Sequence, residues 1–262
     1  MSQIEQAAQQ LIDVRATGNR IPALPDDLRP ADLDTAYKVQ TAHIAALTGQ
    51  GQTQIGWKIG CTNETAQAEL GLDAPFYGCI MRPAVHQSPH SVPAAEFGMT
   101  VIEAEYAFQM AEDLPPAAAP YDPAAVAASV GAICPAIEIV DSRYNDWKSV
   151  GALHLIADNG CHGAWVHGAP VSDWQSIDFV TGDVTLTVNG EKNRDGQGAN
   201  IMGDPLNALT WLANATVFEG GHHLRAGDWI STGTTIVTYH ASAGDHIVAD
   251  FAGLGQVDLT LT

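Results

Sequence analysis

The chain has 262 residues, a hydrophobic fraction of 46% and a formal net charge of −19 at pH 7. This size and composition are typical of an enzyme-sized globular protein, and the strong acidity argues against nucleic acid as a partner because phosphate groups would be repelled. The sequence has no run of about 18 apolar residues, so we expect no membrane span. Four cysteines without a Cys-x-x-Cys pair, and a start unlike a signal peptide, favour reduced thiols and a cytoplasmic location.

Residues 1–52 predict a helical segment. Apolar residues recur at helical spacing near the start, at Ile4, Ala7, Ala8, Leu11 and Ile12. A loop rich in proline follows, and Asp32 is a suitable N-cap for a second amphipathic helix that ends by Gly49. The segment contains no obvious chemistry, so we expect it to serve packing or oligomer contacts.

Residues 53–262 predict a catalytic domain built on a mainly antiparallel or mixed sheet. Short β-type runs are broken by Gly and Pro, with strands expected at 54–60, 101–108, 134–140, 163–167, 184–188, 228–232, 246–251 and 256–261. Asn189-Gly190 is a hairpin-turn signal, and helices are expected at 62–71, 122–131 and 205–214. No Gly-x-Gly-x-x-Gly stands between a strand and a helix, so the sequence gives no support to nucleotide binding.

Three glutamates in two of these runs are the main candidates for chemistry. Glu103 and Glu105 are two residues apart in a strand, which places their carboxylates on one face and roughly 7 Å apart. Glu138 lies in a second apolar run. Buried like charges are costly unless a cation neutralises them, and carboxylate oxygens suit Mg²⁺ or Mn²⁺. The alternative is that the glutamates lie on an exposed strand face, with a solvated cluster near Asp141 and Arg143.

Other candidates have equally plain structural alternatives. Lys58, in an apolar run between two glycines, is placed to contact a substrate carboxylate or a developing oxyanion, or else is a snorkelling surface lysine. Asp158 with Asn159 orients Lys58 or a water, or makes a turn. Thr234 in Thr-Gly-Thr offers a hydroxyl to a carboxylate, or marks a turn. His222-His223 is interpreted as a surface pair.

Taken together, six motifs in order resemble a known family. They are Gly-Trp-Lys-Ile-Gly-Cys-Thr (56–62), Ile-Glu-Ala-Glu-Tyr-Ala-Phe (102–108), Pro-Ala-Ile-Glu-Ile-Val-Asp-Ser-Arg (135–143), Ala-Asp-Asn (157–159), Met-Gly-Asp-Pro-Leu-Asn-Ala (202–208) and Gly-Leu-Gly (253–255). The chain resembles the 2-keto-4-pentenoate hydratase and 2-oxohex-3-enedioate (4-oxalocrotonate) decarboxylase family, within the fumarylacetoacetate hydrolase superfamily.

The resemblance implies a fold, a cofactor and a reaction type. The fold is α+β, a mixed β-roll with an N-terminal helical segment, and the protein is expected to form a homo-oligomer. The resemblance implies that Mg²⁺ or Mn²⁺ binds Glu103, Glu105 and Glu138, and that a small unsaturated 2-oxo acid, or its dienol, reacts through an enolate. We expect Lys58 and Asp158 to be catalytic, and the substrate to contact Phe76, Tyr77, Arg143 and Thr234.

A departure from the family pattern bears on the reaction. Hydratases of this family carry an aspartate where this chain has Phe76, and adding water needs a group that handles its proton. An apolar residue there favours decarboxylation, as does the form of the segment 141–148; Asp204, where relatives often have histidine, is a second departure. We therefore expect a decarboxylase-like lyase, with a hydratase as the alternative. A C–C bond hydrolase and a non-catalytic member are further alternatives.

Overall fold

The computed structural model describes residues 1–218 and 221–262. Its helices are α1 Gln3–Thr17, α2 Leu33–Gly49, α3 Glu64–Leu70, α4 Pro123–Ala128, α5 Ala152–Ala157 and α6 Pro205–Phe218. Its strands are β1 Gln54–Gly60, β2 Phe76–Met81, β3 Val85–Gln87, β4 His90–Val92, β5 Val101–Met110, β6 Val130–Val140, β7 His162–His167, β8 Asp183–Val188, β9 Glu191–Gln197, β10 Trp229–Thr234, β11 Tyr239–His240, β12 His246–Phe251 and β13 Gly255–Leu261. No helix in these two ranges is long and apolar enough to cross a membrane.

The strands form two sheets. The larger has the order β2-β1-β10-β5-β6-β7-β3 with β11 also paired to β5, and the smaller has the order β4-β13-β12-β8-β9. Three strand pairs are parallel, namely β1 with β10, β3 with β7 and β4 with β13, and the other pairs are antiparallel. The predicted mixed sheet and the α+β class are confirmed.

An aromatic core joins the two sheets. Tyr106 of β5 meets Phe251 of β12 edge to face at 5.0 Å between ring centroids, and Phe179 contacts Tyr106 and Phe108 in the same manner. Edge-to-face pairs of this kind are favoured over face-to-face stacks. Tyr106 and Phe108 alternate along β5 with Glu103 and Glu105. Burying the aromatic face therefore directs the two glutamates to the opposite face of the sheet.

The N-terminal helices pack against the larger sheet. Asp32 caps α2 as predicted, since its side chain accepts a hydrogen bond from the Thr35 amide. The buried Gln40 side chain of α2 donates to the carbonyls of Tyr77 (2.8 Å) and Ile156 (2.9 Å). These contacts fix the helices onto the sheet. The division of the chain at residues 52 and 53 stays a prediction.

Several element boundaries differ from the sequence-based expectation. The helix expected over 122–131 ends at Ala128, because the chain from Val130 onward pairs with β5. Strand β10 continues to Thr234, and α6 continues to Phe218. The hairpin signal is confirmed, with positive φ angles of 53° at Asn189 and 82° at Gly190 between β8 and β9.

Candidate metal centre and substrate cavity

Strands β5 and β6 bring the three predicted metal ligands together. Glu103 pairs directly with Glu138 across the two strands, and Glu105 projects from the same face of β5. One carboxylate oxygen from each of the three lies within 4.8 Å of the other two. Three such oxygens on one side of a point form half of an octahedral site, and the other half stays available to water or a chelating substrate.

The hydrogen bonds of Glu105 and Glu138 leave one oxygen of each carboxylate for a cation. His162 Nδ1 lies 3.0 Å from Glu138 Oε1, and the Ser231 hydroxyl donates to Glu105 Oε2. The second oxygens of these two residues, Glu105 Oε1 and Glu138 Oε2, are buried and accept no hydrogen bond in the described part of the chain, although the Lys58 Nζ lies 3.2 Å from Glu138 Oε2. Buried carboxylate oxygens without donors are costly, and a divalent cation would satisfy them. The donor set fits Mg²⁺ or Mn²⁺.

Without a cation, burial favours the protonated form of two of these groups, Glu103 and Glu105. Burial raises the pKa of Glu103 to about 7; the Lys58 ammonium opposes the shift and the Glu138 carboxylate adds to it. Burial also raises the pKa of Glu105 well above its ordinary value, and the neighbouring glutamates add to that rise. A cation that binds here must displace protons.

Lys58 of β1 lies beside the carboxylates and is 3% exposed, so the surface-lysine alternative does not apply. Its Nζ forms an ion pair with Glu138 Oε2 at 3.2 Å and donates to the Gly160 carbonyl at 3.0 Å. Burial alone would lower the pKa of Lys58, but the charges of Glu138, Glu103 and Glu105 outweigh it and raise the pKa. Lys58 therefore stays an ammonium group.

A cavity of about 720 Å³ opens onto this cluster. At the cluster end its wall includes Lys58, Glu103, Phe76 and Thr234, and the Lys58 Nζ lies 5.8 Å from the centroid of the Phe76 ring. Further along, the wall is largely apolar, with Leu70, Val101, Val140, Trp147, Leu155 and Val237. Two residues of opposite charge, Lys148 and Glu69, also line the cavity. The Lys148 Nζ lies 3.8 Å from Glu69 Oε2, and both side chains are 60% exposed.

Two predicted site residues pair with each other outside this cavity wall. Arg143 Nε binds Asp158 Oδ1, and its Nη2 donates to the Asp158 backbone carbonyl at 3.0 Å. Burial raises the pKa of Asp158, against the effect of Arg143. Both side chains are fully buried, and the pair fixes the chain that leads to Gly160 and His162. Their expected parts in catalysis and substrate binding stay predictions.

Tyr77 and Phe76 point to different surroundings, as neighbours in a strand do. The Tyr77 ring stacks on Tyr37 of α2 at 4.4 Å between centroids and meets Trp57 edge to face. It is not part of the cavity wall, whereas Phe76 is. Substrate contact by Tyr77 stays a prediction. The other predicted contact, Thr234, lies on the cavity wall and pairs in register with Glu105.

Sequence reasoning missed the residues that hold the carboxylates in place. His162 is 1% exposed and contacts Glu138, while Ser231 contacts Glu105 and in turn accepts a hydrogen bond from the Trp165 indole at 3.0 Å. Neither residue stands out in the sequence, because β10 contains Thr232 and Thr234 besides Ser231, and His162 is the first residue of a strand that ends with His167. Without knowing that β7 pairs with β6 and β10 with β5, the sequence does not show which carboxylate each residue meets.

Comparison with known proteins defines the class to which this fold and site belong. The family model of the fumarylacetoacetate (FAA) hydrolase C-terminal domain matches residues 62–262. The chain belongs to the fumarylacetoacetate hydrolase family of enzymes, which confirms the resemblance found in the sequence.

Relatives within this class match over nearly the whole chain. A 2-keto-4-pentenoate hydratase of Paraburkholderia xenovorans (strain LB400) is 31% identical, with 97% of this chain and 93% of that protein covered. One of Burkholderia vietnamiensis (strain G4 / LMG 22486) is 32% identical, with 99% and 97% covered. The solved structure of 4-oxalocrotonate decarboxylase from Pseudomonas putida G7, complexed with magnesium and adipate, has a TM-score of 0.93 and 26% identity, with 99% and 97% covered.

Proposed function

We propose that this protein is a divalent-metal-dependent lyase that acts on a small unsaturated 2-oxo acid or its dienol. The observation that carries the proposal is the cluster of Glu103, Glu105 and Glu138, three carboxylates beside the Lys58 ammonium at one end of a cavity. The two buried oxygens without donors fit Mg²⁺ or Mn²⁺ as the ion held there. The magnesium complex of the decarboxylase with the same fold supports this choice.

Lys58 and Thr234 have different functions at the end of the cavity beside the three glutamates. A bound divalent cation supplies a Lewis acid that favours negative charge on the oxygen of an enolised 2-oxo acid. Lys58, fixed by the Gly160 carbonyl, adds a second positive charge at the same end of the cavity and strengthens this stabilisation as the charge develops. The Thr234 hydroxyl, which donates to the Ile236 carbonyl at 3.0 Å, would become a neutral donor for the substrate carboxylate once that bond is exchanged.

We favour decarboxylation as the reaction because of the wall beyond Lys58. In 2-oxohex-3-enedioate the distal carboxylate is carried by the C5 methylene next to the C3–C4 alkene, which is conjugated with the 2-oxo group. The electron pair of the breaking C5–C6 bond therefore passes through the alkene to the 2-oxo oxygen as CO₂ leaves. A distal carboxylate placed along Phe76 and the apolar wall would lose hydration, which promotes its departure. Phe76 offers no proton for the addition of water.

The hydratase alternative has its own support. The curated relatives that match 97% or more of this chain at 31–32% identity are named 2-keto-4-pentenoate hydratases. A hydratase would use the same enolised intermediate to tautomerise its substrate and then add water to the alkene conjugated with the 2-oxo group. It would need an acid-base group other than Phe76 at the cavity wall.

Proton NMR of 2-oxohex-3-enedioate with the protein and Mg²⁺, against an EDTA control, separates the two reactions. We expect loss of CO₂ and formation of the five-carbon dienol, and we expect EDTA to abolish it. Addition of water with all carbons kept would establish the hydratase alternative. An unchanged spectrum with Mg²⁺ would contradict the proposed substrate.

We also propose that the protein is a homo-oligomer of the cytoplasm, as the family resemblance implies. Light scattering coupled to gel filtration tests the first part directly. A mass of 27.6 kDa, that of a single chain, would contradict it.

A further inference from the structure

A second cavity lies next to the metal centre, on the side covered by the N-terminal helices. This rear cavity, of about 290 Å³, is bounded by α1, α2, β3 and β7. The segment 159–162 belongs to both cavities, since Asn159 and His162 line the rear cavity while Gly160 and Cys161 line the substrate cavity. His162 contacts Glu138 through Nδ1, and its buried Nε2 has no hydrogen-bond partner among the described residues.

The wall of the rear cavity includes three arginines, Arg15, Arg20 and Arg143, and two carboxylates, Glu96 and Asp141. Arg143 is neutralised by Asp158, and Arg20 Nη2 lies 3.5 Å from Asp141 Oδ1. Arg15 donates only to backbone carbonyls, those of His162 (2.8 Å) and Gly163 (3.0 Å), and has no ion-pair partner in the described ranges. Burial lowers the pKa of Arg15 to about 10, and the nearby Arg143 lowers it further. A partly buried guanidinium in this position lacks a counter-ion.

A buried histidine on the same wall also lacks a partner. His43 of α2 is 1% exposed, and neither of its ring nitrogens makes a hydrogen bond of good geometry within the described chain, although the Ala157 backbone lies nearby. Burial lowers the pKa of His43 to about 3, and the positive charges of Arg143 and Arg15 contribute. The ring is therefore neutral at ordinary pH, and its single N–H group must turn from the nearby Ala157 backbone to donate to an acceptor in the cavity.

We propose that the rear cavity binds a small oxyanion, a phosphate or a short carboxylate, through Arg15, Arg20 and His43. An oxyanion would supply the missing counter-charge for Arg15 and accept hydrogen bonds from the free donors. Arg20 is suited to such a site because its Nε and Nη2 groups, which lie over Gly98, have no hydrogen-bond partner among the residues described. An uncharged ligand would leave Arg15 without an ion-pair partner, and a cation would add to the charge beside it.

Isothermal titration calorimetry in EDTA tests the proposal without any contribution from the metal centre. Sodium phosphate and sodium acetate are titrated separately at constant ionic strength, with chloride as the reference, which distinguishes the two oxyanion types. We expect at least one of them to bind, and Arg20→Gln to weaken that binding at least tenfold. Arg29→Gln is the matched control, because Arg29 pairs with Asp26 at the surface, and it should leave binding unchanged.

A selenate soak of crystals grown in EDTA locates the ion independently of any variant. We expect an anomalous peak between Arg15, Arg20 and His43. A rear cavity that holds only water, a peak in the substrate cavity alone, or phosphate and acetate binding no better than chloride would overturn the proposal. Equal binding by Arg20→Gln and the unaltered protein would do the same. None of these outcomes depends on turnover, so the proposed lyase activity is tested separately.

Discussion

Glu103 of β5 and Glu138 of β6 face each other as a directly paired couple in the larger sheet. Like charges opposite one another across two strands destabilise a sheet, and here both side chains lie beside a third carboxylate in a largely buried setting. The Lys58 ammonium neutralises only part of this charge. A divalent cation bound between the carboxylates would offset their repulsion and make this pairing favourable.

Removing the Glu138 charge should abolish metal binding while the fold is kept. In Glu138→Gln the amide has nearly the same shape, so packing is retained, but one anionic ligand is lost. We expect Mg²⁺ affinity to fall by about 100-fold or more, measured by calorimetry, with an unchanged circular dichroism spectrum. Glu191→Gln, on the exposed β9, is the control. Mg²⁺ binding by Glu138→Gln at the original affinity would exclude Glu138 as a ligand.

Lys58→Met should separate metal binding from turnover. The substitution removes a positive charge 3.2 Å from Glu138, so Mg²⁺ should bind at least as tightly as before. Turnover should fall by about 100-fold to 1000-fold, because the developing oxyanion loses an electrostatic partner. Calorimetry and a steady-state assay on the same preparation check both parts. Full activity in Lys58→Met would remove Lys58 from catalysis.

His162 should act as a positioning residue for Glu138. In His162→Phe the contact to Glu138 Oε1 is lost, and we expect Mg²⁺ affinity to fall by about 10-fold to 100-fold, as for other residues that orient metal ligands. In His162→Asn the side-chain amide can donate in place of Nδ1, and most of the affinity should return. If both variants bind Mg²⁺ equally, the hydrogen bond does not orient Glu138.

Magnesium binding should release protons and weaken as the pH falls through about 7. Burial raises the pKa of Glu103 to about 7, so below that pH the apo site holds a proton that the cation must displace. Above that pH the Glu103 carboxylate is already ionised and this cost disappears. Calorimetry in two buffers of different ionisation enthalpy measures the release. A pH-independent affinity between pH 6 and 8 would show that the cation does not bind at this carboxylate.

Phe76→Asp should shift the reaction away from loss of CO₂. A carboxylate beside Lys58 would repel the distal carboxylate of the substrate and could handle the proton of an added water. We expect CO₂ release to fall by about tenfold or more and the hydrated product to rise, both measured by NMR. Phe76→Leu, which keeps the wall apolar, should retain CO₂ release. Unchanged products in Phe76→Asp would show that this position does not select the reaction.

The sequence predicted those parts of the site that depend on local spacing. Glu103 and Glu105 share a face because they alternate along one strand, and the apolar setting of Glu138 indicated burial, whereas that of Lys58 left a surface position open. The partners of those residues depend on which strands pair, and no local pattern shows that. For this reason His162 and Ser231 were missed, and the pairing of Asp158 with Arg143 was not foreseen.

The most direct test of the central claim is deuterium exchange at C3 of 2-oxopentanoate, a saturated 2-oxo acid that can neither lose a distal carboxylate nor add water. Proton NMR in D₂O follows the C3 signal with the protein and Mg²⁺. We expect rapid exchange that stops with EDTA and in Glu138→Gln, because enolisation needs the metal held by the three glutamates. Exchange that persists in EDTA, or that fails with saturating Mg²⁺ and bound 2-oxopentanoate, would contradict a metal-assisted enolate as the basis of this enzyme.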